Sequence, residues 1–213
     1  MTRKRVLQAG YFGVATFAVW TALIRTIEVR PIGPNGTEVG FASLNSLVHR
    51  LTGVHMTIYT MTDWLGIVPI FVCMMFGVLG LVQLIGRRSL FKVDRDIIVL
   101  GIYYIMVIGF YLIFEMYPIN FRPILIDGRL EASYPSSTTL LVLSVMPTLT
   151  EQTGRRIKSL TTKRLIRIFT ICFCSFMVAG RLISGVHWIT DIIGALLLSA
   201  GIFYLYKAAV MRE

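Results

Sequence analysis

Between Gly180 and Asp191 the chain reads Gly-Arg-Leu-Ile-Ser-Gly-Val-His-Trp-Ile-Thr-Asp, an arginine, a histidine and an aspartate at the join of two apolar segments. His187 and Asp191 are four apart, the spacing that puts two side chains on one face of a helix. A carboxylate there can accept the proton of one ring nitrogen and leave the other for attack or proton transfer. Arg181 stands six residues before His187, across Gly185, and its planar fork of donors suits a tetrahedral oxyanion held in front of the ring. A single histidine at a helix end is more often structural, and charges near membrane helix ends often only snorkel. Three ionisable groups converging beside apolar segments weigh the other way, because such groups at membrane depth are costly and usually functional.

Two further polar groupings complete a set. Arg122-Pro123 is one, and Tyr134-Pro135-Ser136-Ser137-Thr138-Thr139 is the other. The second reads as a helix N-terminus, whose unpaired N–H groups and dipole favour an anion. Alone it would be an ordinary serine cap. Together the three supply two arginines, a helix N-terminus, a histidine and a carboxylate. That is equipment for phosphoryl transfer, where catalysis is mainly positioning and charge neutralisation.

The elements that must position these residues are membrane helices. Hydrophobic residues make up 55% of the 213 and charged residues 15%, against about 25% charged in a typical soluble protein. Mean hydropathy is +0.73. Uncharged runs of spanning length give an all-α, polytopic expectation of six spans in one membrane-embedded domain over residues 1–213. The spans are Val6–Ile24, Thr60–Ile85, Ile97 to about Tyr117, Ser136 to about Thr148, Ile168–Ile183 and Trp188–Tyr206. Thr2-Arg3-Lys4-Arg5 before the first span resembles a signal peptide start, but no small-residue cleavage site follows, so a retained helix is expected. Glu28–Gly40 carries turn chemistry in Pro31, Pro34 and Asn35-Gly36. Next, Leu44, Leu47, Val48, Leu51 and Val54 share one face and Asn45, His49 and Thr52 another, which suggests a short interfacial helix. His49 and His55 are read as its polar face. With no matching carboxylate between them, no metal site is expected. Asp63, just inside the second span, either pairs with a site arginine or caps the helix, the cap being slightly favoured. Cys73, Cys172 and Cys174 lie in apolar segments and are expected to pack rather than bridge.

Six spans put both termini on one side, together with the basic loops Gly86–Arg95 and Gln152–Arg167. That side holds 15 of the 21 cations and 4 of the 11 acids, a balance of +11 against −1. The positive-inside rule places it in the cytoplasm, so the three polar groupings face the extracytoplasmic side of the cell membrane. The basic charge is therefore a topology signal and a contact for anionic lipid. Nucleic acid is not an expected partner, since no basic run is interleaved with aromatics.

Over nearly its whole length the chain resembles the type 2 phosphatidic acid phosphatase family, whose motifs are Lys-x6-Arg-Pro, Pro-Ser-(Gly/Ser)-His and Ser-Arg-x5-His-x3-Asp. The third matches from Arg181 to Asp191, with Gly180 where serine is usual. The resemblance implies a phosphohistidine on His187 with Asp191 as its partner. It implies a phosphate held by Arg122, Arg181, Ser136, Ser137 and Thr138, and neither metal nor cofactor. Two positions depart from the pattern. The first-motif lysine position is Glu115, and the second-motif histidine, which in the family protonates the leaving group, is Thr138. Arg129 is the replacement considered for the lost cation, and Glu131 or Glu115 for the acid if burial raises its pKa. Equally, these are plain loop and helix-end carboxylates.

The leading expectation is a lipid phosphatase acting on a lipid phosphate at the outer boundary, with a polyprenyl diphosphate such as undecaprenyl diphosphate preferred. The alternatives are a catalytically silent protein that binds or translocates lipid phosphate, and a phosphotransferase. Oligomeric state has no signature in the sequence.

Overall fold

The structure, a computed structural model, describes residues 2–211. Arg212 and Glu213 of the charge tally lie outside it. Its helices are α1 (Arg3–Ile24), α2 (Ala42–Thr52), α3 (Met56–Leu65), α4 (Ile67–Arg87), α5 (Arg95–Met116), α6 (Ser137–Arg156), α7 (Leu160–Ile183) and α8 (Ile189–Val210). Among the described residues there is no β-strand, only isolated bridges.

Five helical segments are long and apolar enough to cross a membrane: α1, the α3–α4 pair as Met56–Arg87, α5, α7 and α8. The fourth expected span, α6, is not among them. It has spanning length, 20 residues or about 30 Å, but buries polar side chains along its course: Thr139, Ser144, Thr148, Gln152 and Thr153. Neighbouring helices meet this course at the Ser144 backbone carbonyl and at the Thr148 and Gln152 side chains. The Tyr103 hydroxyl donates to the Ser144 carbonyl (2.9 Å), Tyr104 and Thr148 share a bond of 2.7 Å, and Gln152 donates to the Tyr206 hydroxyl (2.6 Å). A helix lined by protein needs no apolar surface, so hydropathy undercounts it. The α7 helix starts at Leu160, eight residues before the apolar run. Ser159 caps it by accepting the Thr162 N–H, which lifts Lys163, Arg164 and Arg167 out of the expected loop and onto the helix.

The most deeply buried long helix is α8, with α1 and α6 packed along it. Where α1 meets α8, a Cβ on Gly13 would lie 2.7 Å from the Gly201 Cα. Only two glycines let the backbones approach so closely. At one end of the bundle Arg3 Nε donates to the Ala208 carbonyl (3.2 Å), Lys207 pairs with Glu151 (3.6 Å) and Arg156 with Asp96 (2.7 Å). Both chain ends and both basic connections therefore gather there. The three polar groupings gather at the other end.

The amphipathic α2 lies at that second end. Its Leu44, Leu47 and Leu51 are exposed and Asn45 is buried, accepting from Thr190 and donating to the Gly40 carbonyl. His49 Nε2 contacts the Gly185 carbonyl at 3.1 Å. His55 does not belong to this polar face. The helix stops at Gly53, and His55 instead precedes α3, with its N–H on the Ser184 carbonyl.

Candidate active site

The expected pairing of His187 and Asp191 on one helix does not occur. Gly185 takes φ +69°, the chain turns out of α7, and His187 lies in the connection before α8 begins at Ile189. A Cβ on Gly185 would stand 2.0 Å from the Gly53 carbonyl oxygen, so both the dihedral and the space require glycine here. Gly180, where the family has serine, also lies close to α3: its Cβ would meet Thr62 Cγ2 at 2.6 Å.

The turn folds Arg181 back onto the ring, as its spacing suggested. Arg181 Nη2 donates to His187 Nε2 at 3.3 Å. A guanidinium cannot accept, so Nε2 carries the lone pair and the ring proton sits on Nδ1. Burial, then the charges of Arg181 and Arg122, hold the imidazole well below its usual pKa, with the Ser133 backbone opposing. His187 is thus a neutral imidazole with its basic nitrogen toward the guanidinium.

Asp191 is engaged elsewhere. Its Oδ2 is 3.9 Å from His187 Nδ1, too far for a hydrogen bond, and Nδ1 makes none. From the first turn of α8 the carboxylate accepts the Trp188 N–H (2.9 Å), the Ser133 hydroxyl (2.7 Å) and Asn120 Nδ2 (3.1 Å). It therefore fastens the connection that carries His187 and faces the ring without bonding to it.

Arg122 is placed by a small hairpin. Asp127 and Gly128 both have positive φ, and the Ile126 and Arg129 backbones bond to one another across them. Asp-Gly is a strong two-residue hairpin signal, legible in the sequence. The hairpin sets the Arg122 N–H on the Glu131 carbonyl and Arg122 Nε 3.2 Å from Glu131 Oε2. Arg181 has an outer carboxylate too, Asp63 at 3.6 Å. Asp63 is thus the arginine partner and not the cap. Because α3 starts at Met56, Asp63 falls in its last turn, where no N–H is left to cap. Both arginines are buried; Arg122 Nη1 and Arg181 Nε have no hydrogen-bond partner, while Arg122 Nε has only its ion pair with Glu131. Buried donors are nearly always satisfied, so these are the groups an anion would bind.

The start of α6 joins the same cluster. The Ser136 N–H donates to the Asp191 carbonyl (3.2 Å) and its hydroxyl to Thr139 (3.0 Å), so the Ser136 amide is not available to a phosphate. Ser137 and Thr138 open the helix half-buried, with N–H groups that no intrahelical acceptor reaches. Of the replacements considered, Glu131 touches the cluster. Glu115 is exposed near the end of α5, bordering a small recess with Ser133, Pro135 and Ser137. Arg129 is exposed at the hairpin tip, bridged to Ile126.

Four residues of the cluster went unrecognised in the sequence: Asn120, Ser133, Tyr59 and Thr62. Asn120 and Ser133 bracket the hairpin, bonded backbone to backbone at 2.9 Å. Tyr59 and Thr62 lie on α3, at helical spacing from Asp63. Thr62 accepts from Arg181 Nη1 at 3.5 Å.

Comparison with known proteins agrees with this layout. Residues 115–213 match the model of the PAP2 superfamily. The fold is similar to the crystal structure of a transmembrane PAP2-type phosphatidylglycerolphosphate phosphatase from Bacillus subtilis. The TM-score is 0.66 at 16% identity, over 93% of this chain and 94% of that one. None of the curated proteins matches the sequence.

Proposed function

Because this chain is a member of the PAP2 superfamily, we propose that it is a six-span lipid phosphatase of the cell membrane with His187 as its nucleophile. The observation that carries this is the Arg181–His187 contact, which leaves a neutral ring with its lone pair on Nε2, beside arginines whose donors lack partners. In the first step the Nε2 lone pair attacks the terminal phosphorus; the N–P bond forms as the P–O bond to the leaving group breaks. Arg122, Arg181 and the Ser137 and Thr138 amides neutralise the phosphoryl oxygens. Water then attacks phosphorus, the N–P bond breaks, and inorganic phosphate departs with Nε2 restored. The charge asymmetry puts the basic end in the cytoplasm and the reaction at the outer surface. Substrates reach it from the membrane.

The leaving group points to the substrate. Thr138 stands where the family keeps its proton donor, and an alkoxide is hard to expel without one. A phosphate monoester departs as a stable anion, with a second pKa of about 6. The proposed substrate is therefore a polyprenyl diphosphate such as undecaprenyl diphosphate. The test is kcat/KM for a prenyl diphosphate against its monophosphate, in the native protein and in Thr138→His. The diphosphate should be preferred, and the histidine should help the monoester more. Equal rates on phosphatidic acid would instead make Glu131 the proton donor. A silent lipid-phosphate binder is the second reading, favoured by the carboxylates already on both arginines. Trapping phosphohistidine, with its loss in His187→Ala, separates the two. A trapped phosphoryl group passed to an added alcohol instead of water would mark a phosphotransferase.

A further inference from the structure

The arginines share a third neighbour that lies outside the matched segment of the chain. Tyr59, on the face of α3 that also carries Thr62 and Asp63, sets its ring 4.9 Å from the Arg181 guanidinium carbon and 5.6 Å from that of Arg122. The two carbons can be no farther apart than those distances laid end to end. Two buried guanidiniums so placed repel one another. An aromatic face carries negative quadrupole charge and attracts a cation within about 6 Å of its centroid. Here one ring meets that condition for both.

We propose that Tyr59 is a positioning residue for phosphate: its ring holds Arg122 and Arg181 together so that their unpartnered donors converge on one anion. This rests on reading those arginines as the phosphate holders. It gives α3 a role that no motif marks, because the first-motif lysine is missing and two cations, not three, must gather the phosphate. The carboxylates Glu131 and Asp63 hold each arginine from its own side. The Tyr59 ring lies against both. The required property is the aromatic face, not the hydroxyl, so phenylalanine should suffice and an aliphatic side chain should not.

The experiment uses the purified full chain in detergent with inorganic phosphate as the probe, read by isothermal titration and by the phosphate-dependent rise in Tm. Tyr59→Phe and Tyr59→Trp should bind within about threefold of the native protein, and Tyr59→Leu about 3- to 30-fold more weakly. With lipid substrate, Tyr59→Leu should raise KM more than it lowers kcat. Native-like or tighter phosphate binding by Tyr59→Leu overturns the proposal while leaving the anion site intact. A loss in Tyr59→Phe as large as in Tyr59→Leu overturns it in favour of the hydroxyl. If Tyr59→Leu does not fold, tenfold weaker binding by either aromatic variant has the same force. Absence of phosphate binding in the native protein removes the anion site and this role with it.

Discussion

The turn at Gly185 is the most sensitive point of the site, and Gly185→Ala measures how much catalysis depends on it. Alanine at φ +69° costs about 1–2 kcal/mol in the left-handed region. The larger cost is steric. The added Cβ would sit 2.0 Å from the Gly53 oxygen and 3.0 Å from the Gly53 carbonyl carbon. Ordinary contact needs about 3.5 Å, so the connection must move by more than 1 Å. The obstacle is backbone, and no rotamer change relieves it. The flanking groups are tied as well: the Ser184 carbonyl holds the His55 N–H and the Gly185 carbonyl holds His49. The displacement therefore passes to His187. Because a misplacement of 1 Å can cost about 100-fold, kcat/KM should fall by at least that much, with a lower Tm. Gly154→Ala is the control, on an exposed turn of α6 with nothing near its Cβ. It should leave activity unchanged and raise helix stability by up to about 1 kcal/mol. The assay is phosphate release in detergent alongside thermal unfolding of both variants. Native activity in Gly185→Ala would refute the claim that this turn aligns His187 with Arg181.

Asn120→Ala and Ser133→Ala each remove one donor from Asp191 and should lower kcat about tenfold with little change in KM; kinetics that move only KM would contradict a role in holding the His187 connection. Because the His187 pKa lies below its usual value, the neutral imidazole persists to lower pH, and log kcat/KM should show no acidic limb from an enzyme group near 6.5. The stability sign follows the same shift: between the two pKa values the unfolded chain binds more protons, so stability is full above about pH 6.5 and is lost as pH falls below it. Thermal unfolding of native protein and His187→Gln across pH 5–8 would check this, the variant lacking that slope. For topology, Arg129→Cys at the hairpin tip should react with an impermeant thiol reagent on intact cells, and Lys158→Cys at the basic end should not. The reverse pattern would move the site to the cytoplasmic side.

The helices and the third motif are what the sequence by itself determined. Apolar run length gave six expected spans, five of which are helices long and apolar enough to cross a membrane, and the interval from Arg181 to His187 marked the turn that brings them together, because both depend on residues near one another in the chain. The face of α2 was equally readable from its period, though not that its polar side docks on protein beneath the His187 connection. Tertiary structure decided the rest. The polar course of α6 is met in part by Tyr103, Tyr104 and Tyr206 from other helices. Asp191 looked like a helical partner of His187; the left-handed Gly185 takes the histidine off the helix, and the carboxylate, held by Asn120 and Ser133, faces Nδ1 at 3.9 Å. The contact between Thr62 and Arg181 joins residues 119 apart, and Tyr59 meets the same arginine beside it. Such convergence arises from how helices pack, and a local pattern carries no record of it.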